Sequence, residues 1–195
     1  MGKKTVIALA SILLILLLLS GGLWWWNSSV QATKRLAQQI EIGGIRLLMT
    51  RDEVEAKLGP GPVDDPRCFG CGMETLYPVL RVSGRYSETD KRSGSPVLKK
   101  LTTSDERFSV LGVSPGDRYK EAAELLHSRG FELQNDPNAH DHMYYKRHNF
   151  YIRLWPDAEV NWLLKKDRNA AVNENEPIGS ITVEIRVPED EQIQY

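Results

Sequence analysis

The sequence lacks an excess of charge of either sign. Its 25 lysine and arginine residues nearly balance 26 aspartate and glutamate residues, so the formal net charge is −1. A protein that binds nucleic acid needs a basic excess to displace the counterions of the phosphate backbone. The composition therefore argues against nucleic acid as a partner.

The sequence also lacks the short motifs that commonly carry chemistry. It contains no His-Glu-x-x-His pair, no phosphate-cradling glycine-rich loop and no EF-hand pattern. Its acidic residues are scattered, and no two of them stand out as a catalytic pair. We therefore predict a protein with no catalytic residues, no cofactor and no metal site.

Cysteine is scarce, and the only two residues of this type are Cys68 and Cys71 in the stretch RCFGCG. Thiols outside the cytoplasm tend to oxidise, so we expect either a local disulfide between the pair or two thiols without a role. One alternative is a metal site, to which His140 and His142 could add two ligands. The other alternative is redox chemistry. Haem attachment is excluded because Gly72 follows the second cysteine where a histidine would be needed.

Charge is absent altogether from the run TVIALASILLILLLLSGGLWWW, residues 5–26. As a helix this run would reach roughly 33 Å, enough to cross a hydrocarbon layer of about 30 Å. Lys3 and Lys4 precede it, which favours a cytoplasmic tail over residues 1–4. We predict a transmembrane signal anchor, a single-pass protein with a cytoplasmic N-terminus, and an extracytoplasmic C-terminal part. Cleavage after Ala32 is the alternative.

Residues 27–41 follow this run and carry apolar side chains at helical spacing, among them Val30, Leu36 and Ile40. We predict a stalk helix that leaves the membrane. A flexible linker is the alternative.

Two later stretches share one pattern: a short apolar approach, a hydroxyl residue, and an acidic helical stretch that ends on glycine. In the first stretch Thr50 is the expected N-cap, Glu53 completes a capping box, and Gly59 ends the helix. In the second stretch Ser114 is the expected N-cap and Gly130 ends the helix.

The segments after each helix alternate between apolar and polar residues, which is the pattern of strands with one buried face. We therefore predict an α+β fold built from two tandem repeats, residues 42–104 and 105–195. Each repeat is expected to pack a helical region on its own small antiparallel sheet.

The stretch FYIRLWP, residues 150–156, has this alternation. With its aliphatic residues turned inward, three side chains of types that are enriched at interface hot spots point outward. These predicted binding residues are Tyr151, Arg153 and Trp155. An ordinary solvated sheet face, on which such residues are also common, is the alternative.

The two helix entries, LLMTRDEVEAKLG and VLGVSPGDRYKEAAELL, and the tyrosine-containing strands after them carry a family resemblance. Residues 42–187 resemble the tandem-repeat family of the beta-lactamase inhibitory protein and the small outer-membrane assembly lipoproteins of the SmpA/OmlA type. They also resemble the repeats found beside secreted CAP domains in Gram-positive bacteria. The resemblance implies an extracytoplasmic protein-binding module. It departs at Leu48, where the first repeat would usually carry glycine.

These expectations combine into a membrane-anchored, extracytoplasmic protein-binding or scaffolding module of bacterial type, without catalysis. Its expected partner is another envelope or secreted protein. Two alternatives remain: a redox or metal-handling envelope protein that uses Cys68 and Cys71, and an inhibitor of a secreted hydrolase.

The cysteine hypothesis can be tested by counting thiols in the full-length chain. If Cys68 and Cys71 form a disulfide, a thiol reagent should label neither residue in the denatured protein until a reductant is added. Metal analysis of the same sample should then find no bound zinc. Labelling of both thiols without reductant, or stoichiometric zinc, would contradict the disulfide.

Overall fold

One antiparallel sheet of seven strands contains residues from both halves of the chain. The computed structural model describes residues 28–59, 74–77, 80–86, 96–134, 142–157 and 172–186. The helices in these ranges are α1 (28–39), α2 (Arg51–Leu58) and α3 (Tyr119–Ser128). The strands are β1 (Glu41–Ile42), β2 (Ile45–Arg46), β3 (Glu74–Tyr77), β4 (Val82–Tyr86), β5 (Leu98–Thr103), β6 (Glu132–Leu133), β7 (Met143–Arg147), β8 (Phe150–Pro156) and β9 (Ile178–Ile185).

The strand order in the large sheet is β3-β4-β5-β9-β8-β7-β6, and every neighbouring pair is antiparallel. Strands β1 and β2 form a separate two-stranded hairpin.

The prediction of two tandem repeats, each with its own small sheet, is wrong. Strand β5 of the predicted unit 42–104 pairs with β9 of the predicted unit 105–195, so both units share one sheet. The physical reason lies in β9, where Ile181 and Val183 are fully buried. A strand buried in mid-sheet needs hydrogen-bonding partners on both sides. Strand β8 occupies one side of β9, and β5 satisfies the other.

The inner face of the sheet carries the aliphatic core. Its alternating side chains in the central strands are fully buried: Leu101, Ile152, Leu154, Ile181 and Val183. Helix α3 contributes three further buried side chains to the same cluster: Tyr119, Ala122 and Leu126. The Tyr119 hydroxyl donates a hydrogen bond to the Leu154 carbonyl at 3.4 Å, which ties the helix to the sheet.

The segment predicted as a stalk helix or linker is helical over residues 28–39 and belongs to the body of the protein. Leu36, Ala37 and Ile40 are buried in the same core cluster as the sheet. Lys34 and Arg35 on the opposite side are exposed, so α1 is an ordinary amphipathic helix.

The first predicted helix start is confirmed, and the second is wrong. Thr50 caps α2 and forms the expected capping box with Glu53. Helix α3, by contrast, begins at Tyr119 rather than after Ser114. The backbone N–H of Ser114 donates to Asp117 Oδ2 at 2.7 Å, and Gly116 has a φ of +94°. Positive φ at this glycine makes a turn and delays the helix.

The membrane prediction also requires correction. No helix within the described ranges is long and apolar enough to cross a membrane. This finding stands against the transmembrane signal anchor and the single-pass arrangement with a cytoplasmic N-terminus, and we do not retain them. The charged, core-packed surface of α1 shows why that helix cannot serve as a span. The predicted anchor itself, residues 5–26, lies outside the described residues.

Leu126 provides a direct test of the core on the inner face. Replacement by alanine should lower the free energy of unfolding by about 2–5 kcal/mol, because the side chain is fully buried and its removal leaves a cavity. The matched control is Leu133→Ala, since Leu133 is 53% exposed; its effect should stay within about 0.5 kcal/mol. Equal losses in the two variants, measured by urea denaturation, would show that α3 does not pack as described.

Candidate functional site

The outer face of the sheet, opposite the core, brings polar and aromatic side chains from several strands into rows. The strand register sets these rows. Tyr144 of β7 lies opposite Arg153 of β8, which lies opposite Thr182 of β9. Thr182 in turn lies opposite Thr102 of β5, which lies opposite Ser83 of β4. Side chains about 5 Å apart in such a row can contact one another directly.

Two tyrosines and two arginines form a stacked cluster on one side of this face, here named the Tyr–Arg cluster: Tyr144, Tyr151, Arg153 and Arg186. The rings of Tyr144 and Tyr151 stack with centroids 5.4 Å apart and planes 10° from parallel. The Arg186 guanidinium lies over both rings, 4.8 Å from the Tyr151 centroid and 5.7 Å from the Tyr144 centroid. Arg153 lies 5.2 Å from the Tyr144 centroid. Cation–π contacts of this kind hold a guanidinium in place.

Both arginines share a single carboxylate. Glu184 lies 3.2 Å from Arg153 Nη2 and 3.2 Å from Arg186 Nε. Lys146 adds a third cation, 5.3 Å from the centroid of the Tyr151 ring. Three cations therefore lie on this side of the face, and the short strand β6 contributes one further acid, Glu132, opposite Lys146. This side of the face carries a surplus of one positive charge, although the whole chain carries −1.

Burial shapes the protonation of the cluster. It raises the pKa of Tyr144 above its ordinary value of 10.0, while the nearby charges of Arg186 and Arg153 lower the pKa by less. The Tyr144 hydroxyl is buried and has no hydrogen-bond partner within the described part of the chain. A buried polar atom without a partner costs stability, so the position is held by stacking rather than by its hydroxyl.

A polar cleft of about 690 Å³ lies on the other side of the outer face. Small hydroxyl side chains from three adjacent strands form its floor: Ser83, Thr102, Ser180 and Thr182. Trp155 of β8 borders it, and its indole Nε1–H donates to Thr182 Oγ1 at 3.0 Å. The hydroxyls of Thr182 and Thr102 are 2.9 Å apart and hydrogen-bonded. The cleft exists because small side chains on the central strands meet a large one on β8.

The three predicted binding residues all lie on the outer face, but they do not form one exposed patch. Tyr151 is only 4% exposed because Tyr144 and Arg186 cover it. Arg153 and Trp155 are half-buried, the first in the Tyr–Arg cluster and the second at the cleft.

The cysteine and histidine hypotheses have different outcomes. Cys68, Cys71 and His140 lie outside the described residues. His142 is described, and its ring packs against the Trp155 ring with centroids 4.2 Å apart and planes tilted by 30°. Within the described ranges, no three His, Cys, Asp or Glu side chains are grouped so that they could hold a metal ion.

Reasoning from sequence missed Tyr144 and Arg186 as members of the site. The alternation along β9 does place Glu184 and Arg186 on the face opposite the buried aliphatic residues. This pattern could have identified Glu184 and Arg186 as members of the site. What one strand cannot reveal is which residues of β7 and β8 lie beside them, because that depends on register.

Tyr144→Phe tests the account of the Tyr–Arg cluster. At neutral pH the variant should be as stable as the wild type or more stable by about 0.5–2 kcal/mol, because it removes a buried hydroxyl that lacks a partner. A raised pKa of Tyr144 means that the folded state favours the neutral phenol over the phenolate. The stability that comes from this preference is present below pH 10 and is lost as the pH rises through the pKa of Tyr144 in the folded state. The alkaline loss should therefore be smaller in the variant.

Thermal denaturation at several pH values measures both effects. For the effect at neutral pH the matched control is Tyr145→Phe, which removes a hydroxyl that does have a partner, the Met143 sulfur at 3.6 Å. Clear destabilisation by Tyr144→Phe at neutral pH would contradict the described environment.

Comparison with known proteins gives no family for this chain: no protein-family model and no curated protein matches it. The solved structures that are similar in shape include the following two. One is an extracellular protein containing a SCP domain from Bacillus anthracis, with 10% identity and a TM-score of 0.47 over 76% of this chain and 46% of that chain. The other is a cysteine-rich secretory protein from Staphylococcus aureus, with 11% identity and a TM-score of 0.41 over 72% of this chain and 43% of that chain.

The chain spans less than half the length of either protein. Both are described as extracellular or secretory. The resemblance to the beta-lactamase inhibitory protein and to SmpA/OmlA lipoproteins finds no support. At these scores the likeness is one of shape, and no function follows from it.

Proposed function

We propose that this protein is a non-catalytic protein-binding module that holds an acidic segment of another secreted or envelope protein on the outer face of its sheet. The observation that carries the proposal is the sharing of Glu184 by Arg153 and Arg186, with the two guanidiniums stacked on tyrosine rings. The described residues contain no feature that favours the redox, metal-handling or inhibitor alternatives.

The arrangement suits recognition of carboxylates. A guanidinium presents planar donors that match a carboxylate in a bidentate way, and it stacks readily on aromatic rings. One internal carboxylate cannot use all the donors of two arginines. The surplus positive charge and the remaining donors are therefore available to carboxylates of a partner.

The arginines are also held in place before a partner arrives. Each contacts a tyrosine ring and a Glu184 oxygen, so their side chains lose little freedom on binding. A smaller loss of side-chain freedom leaves more of the contact energy as affinity. Tyrosine and arginine are also residue types that dominate binding energy at interfaces.

The test uses a fluorescein-labelled oligoglutamate peptide as the probe and measures its binding by fluorescence anisotropy. Arg153→Ala and Arg186→Ala should each weaken binding about tenfold, the loss expected for a hydrogen bond between charged groups. Binding should also weaken as salt is added, because the contact is ionic and partly exposed.

The matched control is Arg35→Ala, which removes the same charge from the exposed side of α1. It should leave the affinity nearly unchanged, and all variants should keep the wild-type melting temperature within a few degrees. If Arg35→Ala weakens binding as much as Arg186→Ala does, the protein attracts the peptide through its general charge and not through the Tyr–Arg cluster. If the wild-type protein does not bind the peptide at low salt, the proposal of an acidic partner is wrong.

A further inference from the structure

The cleft bordered by Trp155 lies beside the Tyr–Arg cluster and differs from that cluster in chemistry. We propose that the cleft bordered by Trp155 binds a neutral saccharide. This ligand is separate from the acidic segment that the proposed function places on the arginines.

The floor of the cleft is an array of hydroxyls at regular spacing. Ser83, Thr102 and Thr182 stand side by side on neighbouring strands, so their side chains are about 5 Å apart. A hydroxyl both donates and accepts hydrogen bonds, and a row of them can pair with the hydroxyls of a sugar ring. The cleft volume of about 690 Å³ lies within the range of small-ligand sites.

The hydrogen bonds among Thr102, Thr182 and Trp155 leave one threonine hydroxyl hydrogen unused. Thr102 and Thr182 have one hydroxyl hydrogen each, and the bond between their oxygens uses one of the two. The Trp155 indole supplies its own hydrogen to Thr182 and takes none. One threonine hydrogen is therefore left, whichever threonine donates to the other. If Thr182 donates, that hydrogen belongs to Thr102, which is the less buried of the two, lines the cleft and can present it to a ligand; if Thr102 donates, its oxygen lines the cleft as an acceptor.

Trp155 supplies a fixed apolar surface at the border of this polar floor. Its indole is held by the bond to Thr182 and by the tilted His142 ring, whose centroid lies 4.2 Å away. A tryptophan combines a large apolar body with a polar edge. The C–H face of a pyranose can pack on such a ring while the sugar hydroxyls meet the threonines and serines.

The charges around the cleft favour a ligand without net charge. Two cations, Arg81 and Lys100, are balanced by two acids, Glu106 and Asp157. An anionic or cationic ligand would meet a like charge as well as an opposite one, whereas sugar hydroxyls can bond to both kinds of group. This balance distinguishes the cleft from the Tyr–Arg cluster, where cations exceed acids.

The experiment titrates the full-length protein with three probes, maltotriose, cellotriose and triacetylchitotriose, and records its proton–nitrogen NMR spectrum. Trp155→Phe identifies the Trp155 indole signal as the one that disappears. We expect at least one trisaccharide to shift that signal saturably. Thr102→Val, which keeps the shape of the side chain and removes its hydroxyl, should weaken that binding about fivefold to tenfold.

Arg186→Ala serves as the control, because it alters the Tyr–Arg cluster and leaves the cleft floor intact. It should leave trisaccharide affinity unchanged, so failure of the saccharide site and failure of the acidic-segment site can be told apart. The proposal is overturned if none of the three trisaccharides moves the Trp155 signal at millimolar concentration. It is equally overturned if Thr102→Val binds as the wild type does while its spectrum shows a native fold.

Discussion

The pairing of β5 with β9 is the contact on which the rest of the structure depends. It joins Lys100–Thr103 to Ile181–Glu184, residues about eighty positions apart in the chain, and converts two groups of strands into one sheet. On the inner face it places Leu101 beside Val183, both fully buried. On the outer face it places Thr102 beside Thr182, with their hydroxyls 2.9 Å apart. Without this pairing there would be no continuous core and no cleft floor.

The outer face then divides by side-chain size and charge. Toward β7 and β8 the side chains are large, and they pack against one another until Tyr151 is almost fully buried. Toward β4 and β5, Ser83 and Thr102 carry small hydroxyl side chains, and the surface beside them forms the cleft. Thr182 and Trp155 lie at the boundary and are hydrogen-bonded to each other. A contact at the Tyr–Arg cluster and a ligand in the cleft would therefore be neighbours on one rigid surface.

Local features of the fold were readable from the sequence because their causes are local. The capping box at Thr50 and Glu53 depends on residues three apart, and the structure contains it. The alternation of Ile181, Val183 and Ile185 depends on period two within one strand, and all three are buried. The start of α3 was misplaced because its first backbone N–H groups bond to the carbonyls of a distant loop.

In that loop, the carbonyl of Glu176 accepts from Tyr119 and that of Glu174 accepts from Lys120. These distant carbonyls satisfy the helix start, so no side-chain cap from Ser114 is needed. The candidate site shows the same division between local and distant causes. The sequence places Arg153 and Trp155 on the outer face, but the burial of Tyr151 depends on Tyr144 and Arg186 from two other strands.

The most direct test of the central pairing is a disulfide placed across it. Thr102→Cys and Thr182→Cys are combined with replacement of Cys68 and Cys71 by serine, and the protein is oxidised, digested and mapped by mass spectrometry. The pairing predicts a peptide linked through positions 102 and 182, because these residues are direct partners in the register. The linkage should form far less readily when Ser180→Cys replaces Thr182→Cys. Equal linkage in both variants, or none in the first, would contradict a single sheet joined by β5 and β9.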